Sequence, residues 1–169
     1  MQNEPSSRTD LYVHWPSDPE MVGAVYQALA ARRTAYDTLM WQVPALSLSG
    51  QAFLFTIALG PGSSPAARLA SALLAFILAV ISMQLMSKHR YHEELNSRLL
   101  EAFEREMGLT TLMGLAFHSP RELRARFPVK ANGFTRRSSY RIWMFGLGLF
   151  AAASIGVMVA TLAFPRLLP

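Results

Sequence analysis

The run Ala66–Met86, AARLASALLAFILAVISMQLM, passes without a proline or glycine into Ser87–Gly108, SKHRYHEELNSRLLEAFEREMG. The first part carries one charge, Arg68 at its outer edge, and is long enough to cross a bilayer, since about 20 apolar residues span ~30 Å of hydrocarbon. The second part keeps helical period but becomes amphipathic. Tyr91, Leu95, Leu99, Leu100, Phe103 and Met107 form one stripe. Glu94–Arg98 and Glu101–Arg105 lie on another face, acid before base at i,i+4, each pair adding only a few tenths of a kcal/mol. The pattern predicts one rod on the order of 60 Å, half in lipid and half in water, ending at Gly108. Its wet half, with Leu95, Leu99 and Phe103, needs a partner surface, either the N-terminal helix or another subunit.

Two further runs resemble the lipid half of that rod. Gln42–Gly60, QVPALSLSGQAFLFTIALG, and Ile142–Phe164, IWMFGLGLFAAASIGVMVATLAF, contain no charged residue. In a chain of 169 residues, three buried core helices would have almost nothing to bury them, so the runs read as membrane spans. The first begins too far into the chain for a cleaved signal peptide. The fold class expected is all-α: a polytopic membrane protein of three transmembrane helices with a helical cytoplasmic region, assembled as an oligomer.

Composition agrees. The chain is 51% hydrophobic and 16% charged, with no cysteine, and its mean hydropathy is +0.22. A soluble domain would carry about 25% charged residues. Without a thiol, disulfides and Cys-ligated metals are excluded.

Lys and Arg set the orientation. Arg32 and Arg33 precede the first span, Lys88, Arg90 and Arg98 follow the second, and Arg136, Arg137 and Arg141 precede the third. The link Pro61–Pro65 has no charge and the tail has only Arg166. This places the protein in a cell inner membrane with its N-terminus cytoplasmic and its C-terminus external. The organisation expected is a flexible arm over 1–16, a cytoplasmic amphipathic helix over 17–41, spans at 42–60, 66–86 and 142–164, a cytoplasmic helical region over 87–141, and an external tail over 165–169. Asp18 and Pro19 suit a helix start, with Ser17 and Glu20 as a capping box. Pro44 is expected to kink the first span near Trp41, an interfacial anchor.

Within the spans, polar and small residues carry the interest. Pro44, Ser47 and Gln51 share a face at i, i+3, i+7 in the most polar span, which also holds Ser49 and Thr56. The Ser47–Gln51 stripe reads either as interhelical hydrogen bonding or as the lining of a pore in an oligomer. Small residues recur every fourth position as Ala67, Ser71, Ala75, Ala79 and as Gly148, Ala152, Gly156, Ala160, a pattern that lets helix backbones approach in lipid. Such ladders serve packing within a subunit or contact between subunits. No ionisable residue lies deep in a span, which argues against a proton-coupled pump or an ion-coupled transporter.

Outside the spans, residues 121–141 hold seven basic residues and one acid, Glu122. Beside a bilayer they read as contacts for anionic lipid headgroups, with Arg136, Arg137 and Arg141 nearest. No nucleic-acid reading motif accompanies them. His89, His92 and Glu93 lack metalloprotease spacing and read as solvated helix-surface residues; His14 and His118 are isolated. No nucleophile, phosphate-loop or dinucleotide motif is present, so neither catalysis nor a cofactor is expected.

The stretch ARRTAYDTLMW before the first span, together with KHRYHEELNSRLLEAFEREMG leaving the second, resembles in architecture the SLATT-type small bacterial membrane proteins. The likeness covers residues 19–107; the third span and the basic stretch lie outside it. It implies a pore-forming effector of a nucleotide-signalled defence system and transfers no functional residue. The function expected is thus a homo-oligomeric, pore-like or membrane-perturbing effector controlled by its cytoplasmic helices. The alternative is a non-conducting scaffold or accessory subunit that binds a cytoplasmic partner through residues 88–107.

Overall fold

Asp18 starts the first helix by accepting a hydrogen bond from the Met21 amide at 3.1 Å, with Pro19 in the first turn, where its missing N–H costs nothing. The helix then runs unbroken through the first apolar stretch, so α1 is Pro19–Leu59, 41 residues. A tight turn follows. Gly62 adopts φ +83°, a left-handed conformation that a side chain would resist. Ser64 caps the next helix, accepting from the Ala67 amide at 3.2 Å. Helix α2 is Pro65–Glu106, 42 residues, or about 63 Å at 1.5 Å per residue. It ends at Gly108, whose φ of +65° lets the Leu109 amide turn back to the Glu104 carbonyl at 2.8 Å. The short helix α3 is Pro120–Arg126 and the last, α4, is Ser139–Ala163.

The structure is a computed structural model describing residues 17–110, 114–128, 130, 133 and 138–164. Among these, all regular secondary structure is helical, and three of the four helices (α1, α2 and α4) are long and apolar enough to cross a membrane. One isolated bridge, Thr110 to Ala116, closes the loop after α2. The expected arm 1–16, the tail 165–169, and Arg136 and Arg137 lie outside the described residues.

Helix α2 is the central element. Helices α1 and α4 both pack against it, while they touch each other only slightly, near the tilted ring pair Phe55–Phe150 at 5.8 Å. Small side chains make the α1–α2 seam. Ala72, Ala75 and Ala79 are buried, and a Cβ built on Gly50 would stand 2.8 Å from Leu78 Cδ2. The ladder Ser71, Ala75, Ala79 is thus used inside the chain, as close backbone approach in lipid requires. Arg68 is also buried, and its guanidinium fastens the turn. Nε donates to the Ser63 carbonyl at 3.0 Å and Nη2 to the Gly60 carbonyl at 3.4 Å, which also accepts the Ser63 amide at 3.2 Å.

Candidate functional site

The polar stripe of the first apolar segment faces α2. Pro44, Ser47 and Gln51 are buried, and Gln51 Nε2 donates to the Ala75 carbonyl at 2.9 Å across the seam. Within one chain this stripe makes interhelical contact and has no opening on a lumen. The physical reason is local: an amide at this depth gains a hydrogen bond by packing beside small residues, and Ala75 and Ala79 leave the backbone within reach.

A second set of polar residues on α1 remains open. Gln42, Ser49 and Thr56, spaced i, i+7, i+14, are exposed on the side away from Gln51. Ala45 and Ala52 lie exposed between them. Ser49 Oγ and Thr56 Oγ1 donate to the carbonyls four residues back, Ala45 and Ala52, at 3.2 and 2.8 Å. The two hydroxyls are therefore satisfied as donors and still present lone pairs outward.

Helix α4 shows the same division. It buries Leu147, Ala151, Ser154 and Thr161. The ladder Gly148, Ala152, Gly156 is displaced from that face, and a Cβ on either glycine would meet nothing within 4 Å. One predicted ladder is therefore used within the chain and the other has no partner there.

Beyond the apolar segments, α1 and α2 continue side by side as a polar extension. The α1 end covers part of the amphipathic stripe. Phe103 and Leu100 are buried, and Tyr26 stacks on Phe103 with centroids 6.1 Å apart. Leu99 is half-buried, while Leu95 and Tyr91 stay exposed.

Glu104, fully buried, is the hub of this end. Its carboxylate accepts from Tyr26 Oη at 3.0 Å and from the His118 amide at 2.9 Å, and it contacts His118 Nδ1. Burial first, then the hydrogen bond and the charge of Glu104, push the Tyr26 phenol above its ordinary range. One carboxylate thus ties the start of α1, the end of α2 and the loop before α3. The sequence places Tyr26 on the apolar face of the N-terminal helix and leaves His118 isolated, but it offers no signal that joins them to Glu104, because the three are far apart along the chain.

A second cluster lies one step nearer the apolar segments. The His92 ring stacks on Tyr36 at 5.1 Å and the His89 ring tilts against it at 6.0 Å. Glu93 is buried and pairs with Arg90 at 2.8 Å and Arg33 at 3.7 Å. The expectation of solvated surface residues is corrected here, since α1 supplies the aromatic ring and the cation that cover them. Desolvation first, and the adjacent His92 second, hold the His89 imidazole below its usual range.

Where the extension meets the apolar segments, a cleft of about 200 Å³ is lined by Asp37, Trp41, Met86, Arg90, Tyr140 and Trp143, among others. Tyr140 Oη and Ser87 Oγ share a hydrogen bond of 2.9 Å that pins the start of α4 to α2. Arg141, predicted to meet headgroups, is exposed beside this cleft in sequence. Comparison with protein-family models, with curated proteins and with solved structures finds no match for this chain.

Proposed function

We propose that the chain is a homo-oligomeric inner-membrane effector with a pore-like centre, its N-terminus and polar extension in the cytoplasm. The observation that carries this reading is the exposed Gln42–Ser49–Thr56 stripe on α1. Polar groups at membrane depth are costly against lipid and are kept where they face protein or water. In a single chain Ser49 and Thr56 face neither, while Gln42 marks the water boundary of the stripe. Around a rotation axis, the same stripe from each copy meets its equivalents and lines a neutral path. The open Gly148–Ala152–Gly156 face of α4 supplies a separate surface for close contact with a neighbouring copy. The lining is then Ser49 and Thr56, and Gln51 holds α1 on α2. Arg141 contacts anionic headgroups, worth roughly 1 kcal/mol near the surface.

The absence of cysteine makes the test direct. Thr56→Cys and, on the exposed side of α2, Ile81→Cys are placed one at a time and the proteins reconstituted in planar bilayers. Current that a water-soluble thiol reagent blocks for Thr56→Cys, and leaves alone for Ile81→Cys, supports the proposal. No current, together with no disulfide crosslinking between copies of Thr56→Cys, overturns it.

The second reading, a non-conducting scaffold, has its own support. Tyr91 and Leu95 stay exposed on α2 beyond the area that α1 covers, and they would dock a cytoplasmic partner protein. A stoichiometric unrelated partner recovered from native membranes, lost with Leu95→Glu, favours this reading over the pore.

A further inference from the structure

A cavity of about 750 Å³ opens between the polar parts of α1 and α2 and the short helix α3. Its volume falls in the range of small-molecule sites, about 300–1,000 Å³. Five arginines line it from three helices: Arg33 from α1, Arg90 and Arg98 from α2, and Arg121 and Arg124 from α3. Three glutamates also line it, and each already has a partner. Glu93 takes Arg90 and Arg33, Glu94 takes Arg98 at 2.9 Å, and Glu101 takes Arg105 at 3.1 Å, a residue outside the lining.

The remainder is cationic. Arg121 and Arg124 have no carboxylate partner among the described residues. Arg33 has a buried Nε–H with no acceptor, and its contact with Glu93, at 3.7 Å, is loose. Guanidinium groups are planar forks that match phosphate oxygens two at a time, and several forks converging from different elements select multiple charge over single charge.

We propose that this cavity binds a multiply charged, phosphate-bearing anion, held chiefly by Arg121 and Arg124 of α3, with the guanidinium of Arg33 on the facing α1 wall. Such a ligand bridges α3 to α1, two elements that share no ion pair among the described residues. The site stands whether or not the apolar segments conduct.

The phosphate can come from a soluble molecule or from a lipid headgroup, and two arms separate these sources. In the first, the full chain in neutral detergent is titrated with sodium tripolyphosphate by calorimetry, with the single tetrahedral anion sulfate as the control. In the second, the chain is placed in phosphatidylcholine nanodiscs with and without cardiolipin, a lipid with two phosphates, and its melting is followed. The variants are the double change Arg121→Ala/Arg124→Ala and, outside the cavity, Lys88→Ala. Saturable tripolyphosphate binding, weakened at least about tenfold in the double variant and unchanged in Lys88→Ala, supports a soluble ligand. Stabilisation by cardiolipin alone, lost in the double variant, supports a headgroup. Should the double variant melt far below the parent, Arg121→Lys/Arg124→Lys keeps the charge, removes the forks and is expected to bind more weakly. No response in either arm, or a response that the Arg121/Arg124 variants leave intact, overturns the proposal.

Discussion

Gln51 Nε2 and the carbonyl of Ala75 meet at 2.9 Å across the α1–α2 seam, while the other amide atom, Gln51 Oε1, is buried without a partner. One half of this side chain ties two helices together and the other half works against burial. An interhelical hydrogen bond in lipid is worth about 0.6 kcal/mol on average. An unsatisfied buried acceptor offsets much of that. We therefore expect Gln51→Leu to change stability by less than about 1 kcal/mol and to leave any bilayer current intact. Melting in detergent and single-channel recording check this. A collapse of conductance in Gln51→Leu would place the lining on the wrong face of α1.

Gly50 and Leu78 set how closely the same helices approach. A side chain at position 50 would begin 2.8 Å from Leu78 Cδ2. Gly50→Ala requires only that the flexible leucine tip move. Gly50→Leu has nowhere to go, and overpacking of this kind costs about 1–3 kcal/mol. Melting should fall only slightly for the alanine variant and markedly for the leucine variant, with Leu78→Ala restoring part of the loss in the second. Equal melting for both variants would show that the seam is not tight.

Glu104 predicts a larger effect. Truncation to alanine leaves the Tyr26 hydroxyl and the His118 amide without their acceptor in a buried place. Each orphaned group costs about 1–3 kcal/mol, so Glu104→Ala should lose about 3 kcal/mol and expose the loop before α3 to protease. Tyr26→Phe removes one bond of 3.0 Å and should lose about 1 kcal/mol. Limited proteolysis of the parent and both variants gives the ranking, and a Tyr26→Phe protein cut as readily as Glu104→Ala would contradict it.

His89 gives the extension a pH dependence of defined sign. Burial foremost, and His92 second, lower its pKa from the ordinary 6.5. Below that value the unfolded chain takes up a proton that the folded chain still refuses, so unfolding binds protons and stability falls as pH falls. The loss starts near the unfolded value and levels off below the folded one. Between about pH 8 and about pH 5, His89→Gln should lose less melting temperature than the parent. The difference between the two proteins is the quantity to read.

The long elements were open to reading because their signals are local. Uncharged runs of span length, Asp18 before Pro19, and Gly108 after an unbroken helical pattern each announce a boundary within a few residues, and α1, α2 and α4 follow them. The polar residues of the first apolar segment were visible as a set, but which of them meets α2 depends on how the helix is rotated. Periodicity groups Ser47 with Gln51 and Ser49 with Thr56; it does not say which pair faces inward. The rotation is set by Gly50, Ala75 and Ala79, which let α2 approach on one side. The Glu104 hub and the arginine cavity were not legible at all. Both are made by side chains from α1, α2 and the segment after α2, joined only when α2 folds back beside α1.

Pro44 lies inside α1, where it removes a backbone hydrogen bond and leaves the helix easier to bend there than elsewhere. That weak point is pressed against α2 and fully covered. A joint held in this way cannot flex while its neighbour is in place, so bending α1 first demands that the two helices part. We expect that loosening the contacts that hold the two helices together farther along, at Tyr26, Tyr36 and Arg33, also frees this joint.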